Sequence, residues 1–244
     1  MKQFSNIYIF CFSSALVLIV AAALSFTALS LEEKQNENIE IERKQNILAA
    51  LGEETTKADV KALFEKNIKQ GIVLNTDGSI ADGVLPEDLV PQKVKETVGG
   101  KKKSYTIWVL PKSDKRLLPV YLANNGTIVI PVRGSGLWGP IWGNVALGSD
   151  KNTVSGVTFD HAGETPGLGA EINTPGFQTP FNGKKIFDGS NKFVSIKVEK
   201  PGTYKSDDHT VDAISGGTIT SKALEAMIRD SIEPYQKYLQ SKSN

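Results

Sequence analysis

Residues 7–31 read IYIFCFSSALVLIVAAALSFTALSL, 25 positions without a charged side chain. As an α-helix this run is about 37 Å long at 1.5 Å per residue, enough to cross a bilayer with some tilt. The apolar core of a cleaved export signal is shorter, on the order of 7–15 residues. The small residues of AAALSFTALS would suit cleavage, but the apolar length favours a retained anchor. Lys2 and the amino terminus precede the span, and the acid-rich LEEKQNENIEIE follows it. That slight bias puts the N-terminus in the cytoplasm and, in a bacterium, everything after residue 31 in the periplasm. The expected organisation is a short cytoplasmic N-terminus at 1–6, a transmembrane helix at 7–31, a juxtamembrane helical region at 32–100 and a folded domain at 101–244.

Charge narrows the partners. The chain carries 28 basic and 27 acidic residues, and Lys101–Lys103 is the one basic run. A nucleic-acid partner therefore has no electrostatic support. The single cysteine, Cys11, excludes an intramolecular disulfide and any all-cysteine metal site. His161 and His209 lie far apart in sequence and do not form a metal motif.

Beyond the span, IERKQNILAALG reads as a helix ending at Gly52, and ETTKADVKALFEKNIKQG as a second helix with a threonine at its N-cap and Gly71 at its end. Residues 72–103 read as irregular, with a short helical segment at PQKVKETV. SYTIWVL, LPVYLA, GTIVIPV, NTVSGVTFD and NKFVSIKVE are rich in β-branched and aromatic residues and read as strands. NNGT at 124–127 marks a hairpin turn. SKALEAMIRDSIEPYQKYLQ has helical spacing, with Pro234 kinking or dividing it. Several antiparallel strands flanked by helices make the expected fold class α+β.

Three glycine-rich stretches stand out. In DAISGGTITSKALEAM a strand or loop passes through Ser215, Gly216 and Gly217 into a helix beginning near Ser221. Helix N-terminal N–H groups attract anions, and glycines let a phosphate approach. An ordinary N-cap with a flexible entry fits the same residues. Neither a P-loop nor a Rossmann fingerprint is present. RGSGLWGPIWG places Leu137 and Trp138 on a glycine-bent loop, suited to a flat wall for a planar ligand or to a packed domain edge. HAGETPGLGAEI makes a shaped loop in which Glu164 and Thr165 could bond a heterocycle edge and Leu168 lie on its face; a plain turn between strands is the other reading. No hydrolase, kinase or paired-carboxylate constellation accompanies them.

DAISGGTIT resembles the flavinylation motif of the FMN-binding domain family, in which an aspartate precedes S/T-G-A-T and the last threonine carries FMN through a phosphoester bond. GSGLW and ETPGLG, in this order before it, are the family's other marks. With the N-terminal span, the chain resembles the flavin subunits of Na⁺-translocating NADH:quinone oxidoreductases across nearly its whole length. The resemblance implies covalent FMN on Thr218, within a motif formed by Asp212, Ser215, Gly216 and Gly217. Gly217 departs from the family's usual alanine. Thr220 is a second hydroxyl, expected at the helix N-cap, and Ser221 and Lys222 could support the phosphodiester. Leu137, Trp138, Glu164, Thr165 and Leu168 are expected to line the flavin, with Lys200 as a cation beside it. A flavin transferase would attach FMN taken from FAD. The implied role is one-electron transfer within a membrane respiratory complex at the bacterial inner membrane. The alternative is the homologous G subunit of the Rnf ferredoxin:NAD⁺ oxidoreductase.

Overall fold

The computed structural model describes residues 5–98, 101–205 and 207–241. The chain forms two compact units, residues 1–43 and Lys44–Asn244. A helix, α1, runs from Asn6 to Ala50. In the first unit its apolar stretch is long enough to cross a membrane and its large apolar side chains are exposed. Two hydroxyls there are satisfied within the helix. Thr27 donates to the Ala23 carbonyl and Ser30 to the Phe26 carbonyl, both at 2.8 Å.

The second unit begins with the last residues of α1. Gly52 follows with φ +83° and donates to the Ala49 carbonyl, the expected glycine ending. Helix α2, Val60–Asn67, starts after Asp59 rather than after a threonine, because the Asp59 carboxylate accepts the Thr56 N–H at 2.7 Å. It ends before Gly71, since Ile68 already opens strand β1, Ile68–Leu74. The next strands are β2 (Val90–Val98), β3 (Lys101–Val109), β4 (Leu118–Ala123), β5 (Ile128–Ser135), β6 (Pro140–Leu147) and β7 (Val154–His161). A short helix α3 (Pro175–Gln178), strands β8 (Lys197–Glu199) and β9 (Thr210–Asp212), and helices α4 (Thr218–Ile232) and α5 (Gln236–Gln240) complete the order. A 3-10 turn at Glu233–Tyr235, containing Pro234, separates α4 from α5.

Five strands form an antiparallel sheet in the order β1-β4-β5-β6-β7. Side chains alternate across it with a period of two. Leu118, Val120, Ile128, Ile130 and Val132 face Leu224, Ile228 and Ile232 of α4. Tyr121, Ala123 and Val129 face Ile47 and Ala50 at the end of α1, with Phe64 of α2 edge-on to Tyr121 at 6.0 Å between ring centres. Helices thus cover both faces. The turn at 124–127 closes the β4–β5 hairpin as the sequence indicates, with Gly126 at φ +84°.

The region 32–100 departs from its helical expectation. PQKVKETV lies in β2, which pairs with β3 as a separate antiparallel ribbon, and β1 is an edge strand of the main sheet. The compact unit accordingly begins at Lys44, and the anticipated boundary near 101 falls inside the β2–β3 pairing. NKFVSIKVE supplies only the three-residue β8, which pairs in parallel with β9, Glu199 opposite Asp212.

Candidate functional site

From Asp212 at the end of β9 the chain runs through Ala213–Gly217 and enters α4. The Gly217 N–H bonds the Ile214 carbonyl at 3.0 Å, closing a tight turn whose third residue, Gly216, has φ +75°. This backbone state disfavours any side chain, and a Cβ on Gly216 would lie 2.7 Å from Leu168 Cδ2. Helix α4 opens at Thr218, earlier than the sequence indicates, with Gly217 at the N-cap and no side-chain cap. The first N–H to close the helical ladder is that of Ser221, onto Gly217 O at 2.9 Å. The N–H groups of the preceding turn have no helical acceptor.

Thr218, the first residue of α4, is exposed. Thr220 is 2% exposed and does not cap the helix. Its hydroxyl donates to Glu164 Oε2 at 2.5 Å. Ser221 is buried, its Oγ accepting the Ile214 N–H at 3.0 Å. Lys222 is engaged with Glu199 at 2.9 Å and Glu225 at 3.0 Å. Burial pulls the Lys222 pKa down, but these two carboxylates outweigh it and leave the ammonium above its ordinary value. Neither side chain is therefore free to support a group on Thr218 in the way the sequence invites. The helix-terminal N–H groups are.

Glu164 corrects the sequence reading most. It is 4% exposed, and both carboxylate oxygens are taken by the protein itself. Besides the Thr220 bond, Oε1 accepts the Trp138 N–H at 2.9 Å. The Glu164 N–H donates to His161 Nδ1 at 3.2 Å. Glu164 thus stands behind the site and does not line it. One buried carboxylate joins all three glycine-rich loops. The glycines leave room for it: a Cβ on Gly136 would collide with Oε1, and one on Gly169 would lie 2.5 Å from both Oε2 and Thr220 Oγ1.

The surface in front of Glu164 is apolar and open. Leu137 is 48% exposed, Trp138 68%, Leu168 41% and Ile219 61%. Four large apolar side chains at the mouths of buried loops mark a surface that something else covers. Leu137 and Trp138 sit in the turn between β5 and β6, where the Gly136 N–H bonds Gly139 O at 2.7 Å. They also border an open cleft of about 410 Å³ whose walls include Lys93, Thr106 and Arg133. Arg133 lies 5.4 Å over the Trp142 ring, and burial pushes its pKa down. Thr165 is exposed, its carbonyl accepting the N–H groups of Leu168 and Ala170. Lys200 follows β8 as an exposed residue near the start of the motif, and Ser215 is exposed in the turn. Asp212 accepts the Tyr204 hydroxyl at 3.0 Å; partial burial first, and this carboxylate next, push the tyrosine above its ordinary pKa.

Leu137 and Trp138 share one cleft wall, Leu168 lies beside Gly216 of the motif turn, and Thr218 is the exposed first residue of the helix that follows that turn. Sequence reasoning missed Ile219, the inward role of Thr220, the His161 contact and the cation of Arg133. Helix phase could have supplied the first two, since side chains two apart on a helix point in opposed directions.

Comparison with known proteins identifies the family. Residues 136–233 match the FMN-binding domain family. The C subunit of the Na⁺-translocating NADH-quinone reductase of Vibrio vulnificus is 32% identical over 86% of this chain and 84% of its own length. That of Neisseria meningitidis is 33% identical over 88% and 87%. The crystal structure of the corresponding C subunit from Parabacteroides distasonis superposes with a TM-score of 0.73 at 34% identity, covering 87% of this chain and 98% of that one. Shewanella oneidensis NqrC, 24% identical with a TM-score of 0.58, shares the fold. The extent of these matches makes the chain a member of the family of Na⁺-translocating NADH-quinone reductase C subunits.

Proposed function

We propose that this chain carries FMN covalently on Thr218 as the electron-transfer subunit of a Na⁺-translocating NADH:quinone reductase, anchored by α1 with its second unit in the periplasm. The observation that carries the reading is Thr218, exposed at the start of α4, in a segment that the buried Glu164 ties to the loops bearing the exposed Leu137, Trp138 and Leu168. These apolar side chains suit the face of a tricyclic ring. The unpaired N–H groups of the first turn suit the remaining negative charge of a phosphodiester. Bound FMN supplies the acceptance and release of single electrons. The protein tethers it, orients it and shields one of its faces. Arg133 and Lys93, in the cleft that Trp138 borders, are cations better placed toward the ring wall than Lys200.

Attachment consumes a flavin–adenine dinucleotide and requires a separate transferase. Thr218 Oγ forms the new O–P bond to the flavin-side phosphorus. The P–O bond to the adenylate breaks, AMP leaves, and the hydroxyl proton passes to a base of the transferase. No base of this chain is hydrogen-bonded to Thr218 among the described residues, in keeping with an external catalyst. The relatives favour the quinone reductase over the Rnf complex.

Peptide mass spectrometry of the full chain, coexpressed with a flavin transferase, tests the reading. The FMN mass should appear on Thr218, vanish in Thr218→Ala and persist in Thr220→Ala. A wild-type chain without flavin, beside a working transferase control, would sink it.

A further inference from the structure

We infer that Glu164 selects the acceptor hydroxyl, drawing Thr220 inward so that Thr218 alone is presented for modification. The inference rests on the covalent-carrier reading above. The loop offers two threonines in TIT, chemically alike and two positions apart. At about 100° per residue their side chains leave the helix some 200° apart, so fixing one outward fixes the other inward. The Glu164–Thr220 bond sets that rotation. It is short, at 2.5 Å, and both residues are buried. Its carboxylate is itself held by the Trp138 N–H at 2.9 Å, and its backbone by His161. Gly169 keeps the space in which the two oxygens meet.

A carboxylate bonded to a hydroxyl also makes that hydroxyl a better nucleophile. Here access overrides reactivity. Thr220 is 2% exposed, so no phosphorus can approach it, whereas Thr218 has no such partner among the described residues and stands open. Glu164 is therefore a positioning residue acting through Thr220, separate from the residues that touch the flavin.

The experiment localises flavin by fragmentation of the tryptic peptide 206–222, which holds both threonines, in full-length chains coexpressed with the transferase. Wild type should carry FMN on Thr218 only. Glu164→Gln should match it, because the amide can still bond both Trp138 N–H and Thr220. Glu164→Ala should lose Thr218 occupancy several-fold and show flavin divided between Thr218 and Thr220. Thr218→Ala should be bare, and Thr218→Ala with Glu164→Ala should regain flavin on Thr220. Gly169→Ala reaches the same point without removing the carboxylate, since its Cβ would crowd Oε2 and Thr220 Oγ1. Folding of each variant is checked by its thermal transition. If Glu164→Ala fails to fold, Gly169→Ala decides. Modification confined to Thr218 at wild-type occupancy in the folded variants overturns the selector. A wild type lacking flavin overturns the carrier reading, and the selector with it.

Discussion

Glu164 and Thr220 are 56 residues apart in sequence and meet at 2.5 Å. Replacing Thr220 with Val leaves one carboxylate oxygen buried without its donor. The expected cost is about 1–3 kcal/mol, read as a lowered midpoint of denaturation, with FMN confined to Thr218 but at the reduced occupancy expected of Glu164→Ala. An unchanged midpoint would mean that solvent already reaches Glu164. Gly216→Ala combines a positive φ with a contact on Leu168, so a loss of about 1–3 kcal/mol is expected. Adding Leu168→Ala should relieve the contact but leave the backbone strain, so recovery should be partial. At this scale the sequence showed where the loops are, because glycine clusters stand out. It did not show what they surround. Glutamate is a surface residue by habit, and a buried one is visible only through partners brought in by the fold.

At the scale of elements, legibility followed burial. LPVYLA and GTIVIPV were readable as strands because each buries side chains on both faces of the sheet. PQKVKETV was read as helical and is strand β2. It belongs to a two-stranded ribbon and is largely exposed, so no apolar alternation records its pleat. Of β1, IKQG reads as the end of the preceding helix and IVL as part of the irregular stretch, because no Gly or Pro marks the change from helix to strand between Asn67 and Ile68. A buried bond helps tie the C-terminal elements to the sheet. The Tyr235 hydroxyl, in the turn between α4 and α5, donates to the Pro119 carbonyl of β4 at 2.8 Å. Complete burial pushes its pKa well upward, so it stays a donor throughout the working pH range. Tyr235→Phe should cost about 1–2 kcal/mol by denaturant titration, while flavin loading stays intact. A loss of loading would show that this end of α4 is coupled to Thr218.

For the whole molecule, the division at residue 43 predicts that a chain starting at Lys44 is soluble without detergent and melts cooperatively, which calorimetry can check. Aggregation of that fragment would place part of its stability in the first unit. Acid should weaken the second unit. Ser79 holds the Asp77 carboxyl below its ordinary pKa, Ser190 does so for Asp188, the Thr210 side chain for Asp207 and Lys185 for Asp208. Each is lower when folded than when unfolded. Their contribution is present above the unfolded value and fades as pH falls through the folded one, so the melting temperature should drop below about pH 4. A flat profile there would mean that these turns add nothing.

The inward turn of Thr220 also bears on the order of events in biogenesis. An unfolded chain displays two equivalent hydroxyls two residues apart, whereas the folded chain displays one. The proposed transferase would therefore need no means of counting residues if it acts after folding. On the covalent-carrier reading, a loaded flavin would certify that the three loops had already closed around their carboxylate.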